Sequence, residues 1–159
     1  MTVNKYFKLA KYTLFPINRS LTGYGIKKTL RIIKKNFPDL KIKSIPSTSK
    51  AFDWKVPSEW NISEAYVVDK FGKKIIDFKK NNLHVVSYSV PVNKVLSKKQ
   101  LFKNIHFLKK QPKAIPYITS FYKKRWGFCI SFDQMTKFNN LYKKKDKFKV
   151  VIKSKLNSK

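Results

Sequence analysis

Near Leu40 the spacing of apolar residues changes from the repeat of a helix to the repeat of a strand. A chain that makes this change once, and early, is confined to a mixed architecture with its long helices gathered at one end. Before that point Val3, Phe7, Ala10 and Leu14 fall at helical spacing, with Lys5, Lys8 and Lys11 elsewhere on the surface. They predict a short amphipathic helix over 3–14, docked on a protein core. Pro16 ends it. Ile26, Leu30 and Ile33 form the stripe of a second helix, with Ser20 or Thr22 placed to cap it. Gly23 and Gly25 near its start would let a backbone approach an anion, but no Gly-Lys-Ser/Thr completes a phosphate loop.

Beyond Leu40, KIKSI, FDWKV, EAYVV, KIIDF and LHVVSYSV read as strands separated by Pro, Gly or Asn-Asn turns, and FGKK at 71–74 reads as a hairpin turn. The segment 97–111, SKKQLFKNIHFLKKQ, predicts a helix with Ser97 as N-cap and Leu101, Ile105 and Leu108 as its stripe, which puts His106 on a helix surface. QPKAIPYITSFY resumes the β pattern, 132–142 reads as a short helix, and KFKVVIKSKL closes as a strand. The expected fold class is therefore α+β: two N-terminal helices, then a small twisted, mostly antiparallel β domain with one or two short helices. No residue up to Pro38 is acidic, whereas Asp53, Glu59, Glu64, Asp69 and Asp77 supply five of the eight acids. This shift in composition places a domain boundary near Pro38.

The net charge of +29 points toward nucleic acid or an anionic membrane. The kind of cation argues otherwise. Arg19, Arg31 and Arg125 are the only arginines among 37 basic residues, and bidentate contacts to phosphate or guanine favour arginine's planar fork. Lysine, asparagine and isoleucine share A/T-rich codons, so base composition expressed on a solvated surface accounts for the charge. No run approaches the roughly 20 apolar residues that span a bilayer. Lys8 and Lys11 interrupt any secretory h-region. One cysteine excludes an internal disulfide framework and fits a reducing compartment, and the expected location is the cytoplasm.

The stretch RWGFCISF concentrates the remaining chemistry. As a strand it would direct Trp126, Phe128, Ile130 and Phe132 to one face and Arg125, Gly127, Cys129 and Ser131 to the other. A core strand is the simplest reading. An RNA-recognition sheet motif is the rival: Lys124, Trp126, Gly127 and Phe128 fit it, while Arg125 stands where glycine belongs and Ser131 where the last aromatic belongs. A nucleophilic Cys129 needs a base, and His84 and His106 are the only imidazoles. These three residues are 22 and 23 positions apart, a spacing that matches no compact metal motif.

Several stretches, in order, carry a resemblance: RSLTGYGIKKTL, FDWKVPSEWNISEAYVVD, FKKNNLHVVSYSVPV, AIPYITSFYKKRWGFCISFDQ and KFKVVIKSKL. Together they resemble the N-terminal part of a bacterial aminopeptidase-like family. The family is similar to peptidases that use two zinc ions and is often linked to surface-polysaccharide gene clusters. Its members carry a small inserted domain of unknown function and a C-terminal winged helix. The resemblance implies that residues 1–38 are helices of a peptidase-like domain. It makes 39–146 the inserted β-rich domain and 147–159 a return strand toward the peptidase core. The family's metal-binding positions lie downstream, so no catalytic or metal-binding residue carries over, and zinc is expected on the part absent here. Arg19, Thr22, Tyr122 and Trp126 are the candidate substrate-cleft residues. The expected function is a non-catalytic N-terminal portion, truncated or split, inactive by itself as a metallo-aminopeptidase. Its expected partners are the missing C-terminal peptidase part or another copy of the chain. The alternative is a small basic protein that binds RNA or DNA.

Overall fold

The computed structural model describes residues 3–158 and realises the early change of period as an α+β architecture. The first amphipathic stretch forms α1 (Val3–Lys8) and continues as a π-helical segment (Leu9–Leu14). The Arg19 guanidinium donates to the Leu14 carbonyl at 2.7 Å, satisfying one acceptor that a helix end leaves open.

The second stretch forms α2 (Tyr24–Asn36), and its cap corrects the expectation from sequence. Gly23 takes the N-cap position, and neither Ser20 nor Thr22 caps the helix. The Ser20 hydroxyl donates to the Thr22 carbonyl at 2.6 Å, and the Thr22 hydroxyl donates to the Ser58 carbonyl at 2.9 Å. The Tyr24 amide instead donates to Asn61 Oδ1 at 2.7 Å, and Lys27 pairs with Glu59. The two glycines make room for this arrangement. Gly23 has φ +101°, and a Cβ there would overlap the Trp60 carbonyl oxygen; at Gly25 a Cβ would overlap the Asn18 carbonyl oxygen. The space that an anion-binding loop would keep open is filled by the chain itself.

KIKSI forms no strand. Its lysines and isoleucines alternate, but Ile42 and Ile45 are exposed like their neighbours, and alternation with no face to bury specifies no pairing. The next strands are β1 (Lys50–Ala51) and β2 (Trp54–Lys55), an antiparallel two-residue pair. The chain then runs through β3 (Glu59–Val68), β4 (Lys74–Asp77), β5 (Val92–Ser97), α3 (Lys98–Phe102), β6 (Ile105–His106), β7 (Phe128–Cys129), α4 (Phe132–Leu141) and β8 (Lys147–Asn157). The main sheet has the order β4-β3-β8-β5. FGKK makes the expected turn between β3 and β4, with Gly72 at φ +78° and a bulge between Val67 and Val68. Strand β8 alternates except at Val151: Phe148, Val150, Ile152 and Ser154 are buried and Lys147, Lys149, Lys153 and Lys155 exposed, while Val151 is buried on the lysine side.

Two long elements expected from sequence are cut short. The helix capped by Ser97 has the expected N-terminus, completed by a reciprocal bond with Gln100, but it ends at Phe102. Ile105 and His106 pair in parallel with Phe128 and Cys129, so His106 lies in a strand and not on a helix surface. LHVVSYSV is buried from His84 to Ser89 yet is no regular strand. A 3-10 turn (Asn82–His84) opens it, and Tyr88 adopts φ +66°, which breaks the extended run. QPKAIPYITSFY contributes only the bridge between Thr119 and Ser87. Within RWGFCISF both faces are buried from Gly127 to Ser131, and Trp126 and Phe132 stay half-exposed, so a one-sided strand is not what forms.

The chain divides into two compact units, Met1–Asn61 with Leu156–Lys159, and Ile62–Lys155. The interior belongs almost wholly to the second, where Phe138, Tyr142 and Phe148 meet with ring centroids 4.9–5.1 Å apart and join α4 to β8. Among the described residues of the first unit only Gly23, Thr29, Pro57 and Trp60 are buried.

Gly23→Ala and Gly25→Ala are each expected to destabilise the protein by about 1–3 kcal/mol or more, because backbone must move to admit the methyl group. Gly72→Ala, with open space around it, should cost only the left-handed backbone penalty of about 1–2 kcal/mol. Urea unfolding of the three variants checks the ranking. Equal losses would mean that the contacts at 23 and 25 are not tight.

Candidate functional site

Strand β7 is where the sequence's reactive side chains gather. His84 is buried, and its Nδ1 lies 2.8 Å from the Cys129 carbonyl; a carbonyl only accepts, so Nδ1 carries the proton. From the other side His106 pairs with Cys129 in the β6–β7 ladder, and the Ile130 amide donates to the His106 carbonyl at 3.0 Å. Both imidazoles of the chain thus flank one cysteine, which their positions in sequence did not reveal. They meet its backbone and do not activate its sulfur. Burial pushes the Cys129 thiol up to about 12, opposed by a hydrogen bond from the Ile118 backbone. At neutral pH the group is a buried thiol with the character of a small apolar side chain, not a nucleophile.

Burial also lowers the affinity of His84 for a second proton, against the Cys129 carbonyl and the Asp77 charge, which favour protonation. His106 is lowered by burial and further by the Arg125 guanidinium. Among the described residues no three His, Cys, Asp or Glu side chains are grouped to hold a metal ion.

The long connection from β6 to β7 carries Tyr122 and Trp126. Tyr122 is 63% exposed, its ring set edge-on to Phe121 at 4.4 Å, and Phe121 in turn meets the buried Tyr88 at 5.8 Å. Trp126 is half-buried and lies edge-on to Phe128 at 6.4 Å. Phe128 itself is fully buried and is not available as a base-stacking ring. Arg125 donates to the Thr119 carbonyl at 2.9 Å, fixing the connection much as Arg19 fixes the end of the π-helical segment. Arg19 and Thr22 belong to the first unit, Tyr122 and Trp126 to the second. Each of the first pair spends a hydrogen bond on backbone: Arg19 on Leu14, Thr22 on Ser58.

One polar cluster escaped the reading of the sequence. The Tyr142 hydroxyl donates to Asp69 Oδ2 at 2.7 Å, and the Phe71 and Lys73 amides both donate to Asp69 Oδ1 at 2.9 Å. Lys70 pairs with Asp146 at 3.1 Å, and the Lys143 amide donates to the same carboxylate at 2.9 Å. The Asp-x-x-Gly of the hairpin turn was a local signal for half of this. Its partners, 73 and 76 residues away, had none.

The histidines set an acid limit on stability. Above about 6.5, the ordinary imidazole value, both states hold neutral rings and the folded state keeps its full stability. Below it the unfolded chain takes up protons first, so stability falls with pH until the folded rings titrate as well. Urea unfolding between about pH 7.5 and about pH 5.5 should show this slope, and a His84→Gln/His106→Gln double variant should flatten it. Parallel slopes in the two proteins would assign the effect elsewhere. Phe128→Ala should cost about 3–5 kcal/mol and Trp126→Ala less, since part of the indole stays in water.

Comparison with known proteins follows the same lines. Residues 59–155, more than half of the chain, match the family described as "Domain of unknown function (DUF2172)". A protein of Clostridium acetobutylicum named "Putative polysaccharide biosynthesis protein with aminopeptidase-like domain" is 45% identical over 164 residues, covering 97% of this chain and 36% of its own. The crystal structure of a C. acetobutylicum protein described as "putative peptidase" superposes with a TM-score of 0.83 at 44% identity, covering 98% of this chain and 38% of that one. The chain therefore spans little more than a third of the length of either relative. With its match to the family extending from the start of β3 almost to the end of β8, the chain belongs to the proteins that carry the domain of unknown function DUF2172.

Proposed function

We propose that these 159 residues form a non-catalytic N-terminal portion of an aminopeptidase-like protein and act by completing a peptidase-like body that holds the catalytic residues. The observation that carries this reading is the uncovered first unit. Helix α1 and the π-helical segment bury no side chain, and α2 buries only Thr29, while Phe7, Tyr12, Phe15, Leu21 and Tyr24 are exposed. Helices with an apolar stripe and no interior of their own draw their stability from packing against something else. The likeness to relatives nearly three times as long supports the same view.

On this reading residues 1–38 are helices of the peptidase-like domain, 39–146 an inserted domain, and 147–159 a return strand. Arg19 and Thr22 in the first unit, and Tyr122 and Trp126 in the second, each contribute to a substrate-facing edge of their own unit. Zinc, where the peptidase uses it, polarises a carbonyl and activates water. On this reading its ligands belong to the peptidase-like body. The setting is cytoplasmic, in keeping with a single buried thiol, and no helix among the described residues is long and apolar enough to cross a membrane.

The test mixes the 159-residue chain with the segment of the C. acetobutylicum relative that follows its matching region. Aminopeptidase turnover with added zinc, association by analytical ultracentrifugation and melting temperature are then recorded. The expected result is no turnover by the chain alone, a complex on mixing, and a raised melting temperature in that complex. Turnover by the isolated chain, or two bodies that ignore one another, would overturn the proposal.

A further inference from the structure

The polar cluster around Asp69 and Asp146 arranges charge in a way the overall excess of lysine does not require. Asp69 accepts three hydrogen bonds, from Tyr142, Phe71 and Lys73, and Asp146 accepts from Lys70 and the Lys143 amide. Both acids are buried. These bonds hold the β3–β4 turn, Lys70 to Lys73, beside the Lys143–Lys144–Lys145 turn that leads into β8. With both carboxylates turned inward, the outer side presents Lys73, Lys143, Lys144 and Lys145, all exposed.

Among these cations stands Phe71, 79% exposed, with Lys70 Nζ 5.2 Å from its ring. The turn's geometry needs glycine at 72, whose φ is +78°, but nothing in it needs an aromatic ring at 71. Such a ring left in water beside a fixed group of ammonium groups matches a surface that is anionic outside and apolar just beneath. We propose that the Phe71 turn and the Lys143–Lys145 turn together dock on an anionic lipid bilayer, with the ring entering the headgroup boundary and the lysines meeting lipid phosphates.

A nucleic-acid strand fits the same place less well. Single strands are bound on successive stacking rings, and here one ring stands alone. All the cations are lysines, compact point charges suited to a diffuse anionic surface, and none is the arginine fork that reads phosphate bidentately. The inference stands independently of the aminopeptidase-like reading, because it concerns residues of the second unit alone.

The experiment is sedimentation of the full 159-residue chain with vesicles of phosphatidylcholine, with and without phosphatidylglycerol. The expected result is binding only to the anionic vesicles, weakening steeply with salt. A Lys143→Glu/Lys144→Glu/Lys145→Glu variant should lose about fivefold in affinity or more per lysine changed. An equally charged Lys109→Glu/Lys110→Glu/Lys113→Glu variant should lose much less. Phe71→Ser should lose about tenfold, the scale of a transferred aromatic group, whereas Phe52→Ser, a still more exposed ring in the first unit, should lose nothing. Melting curves establish that each variant is folded, and every position named is on the surface. Equal losses in the two lysine triples, an indifferent Phe71→Ser, or no vesicle binding at all would each overturn the proposal. So would variants that keep vesicle binding but lose binding to a single-stranded oligonucleotide, which would mark the patch as a nucleic-acid contact.

Discussion

The larger unit is organised around β8, which lies between β3 and β5 and carries the side chains on which α4 rests. It pairs with β5 along six consecutive residue pairs, from Val92↔Ile152 to Ser97↔Lys147. Its Ser154 hydroxyl donates to the buried Ser89 carbonyl at 2.7 Å, tying in the irregular turn at Tyr88. Phe148 and Val150 are fully buried, and burial of such side chains contributes about 1.5–3 kcal/mol each. The strand latest in the chain is thus central in space. Its contacts close long loops, and the entropy of that closure is spent before the reward of burial arrives. Folding of this unit is a non-local event, and its elements have little reason to form separately.

That dependence sets which parts of the fold were legible in the sequence. Signals that act within a few residues came through: the Ser97 cap with Gln100, the FGKK turn, the 132–141 helix and the alternation of β8. Features decided by distant pairing did not. Ile105 continues the helical stripe of its sequence, but the Phe128 amide bonds to the Asn104 carbonyl and draws the chain into a ladder with β7. LHVVSYSV has the composition of a strand, yet the Val86 and Ser87 amides bond to Gly127 and Ile118 on two different segments, and Tyr88 turns the chain directly after them. KIKSI had the right alternation and lacked a partner. The same division governs the candidate site. The cysteine and the two histidines were visible as the chemistry-bearing residues, while their meeting at β7 was a property of the topology.

The electrostatics show a similar division of labour. Surface ion pairs such as Lys153–Glu64 and Lys79–Glu64 join exposed lysines to partly covered acids and contribute little to stability on their own. The acids that matter structurally are Asp69 and Asp146, which organise two turns from within. With those two acids turned inward, the exposed Asp and Glu side chains among the described residues are Asp39, Asp53 and Asp133, against a large excess of lysine. Composition sets the amount of that charge, and the fold decides where it is concentrated beside an exposed ring.

Helix α2 carries one further lesson. Its first amide is held by Asn61, a side chain 37 residues later in the chain and part of β3. The helix has no terminator of its own making at that end. A peptide cut from this region would fray there, and in the intact molecule its order is borrowed from a strand. Anything that displaces Asn61 will be felt as unwinding at Tyr24, so the aromatic ring at that position is a natural reporter of how the first unit holds its own helix.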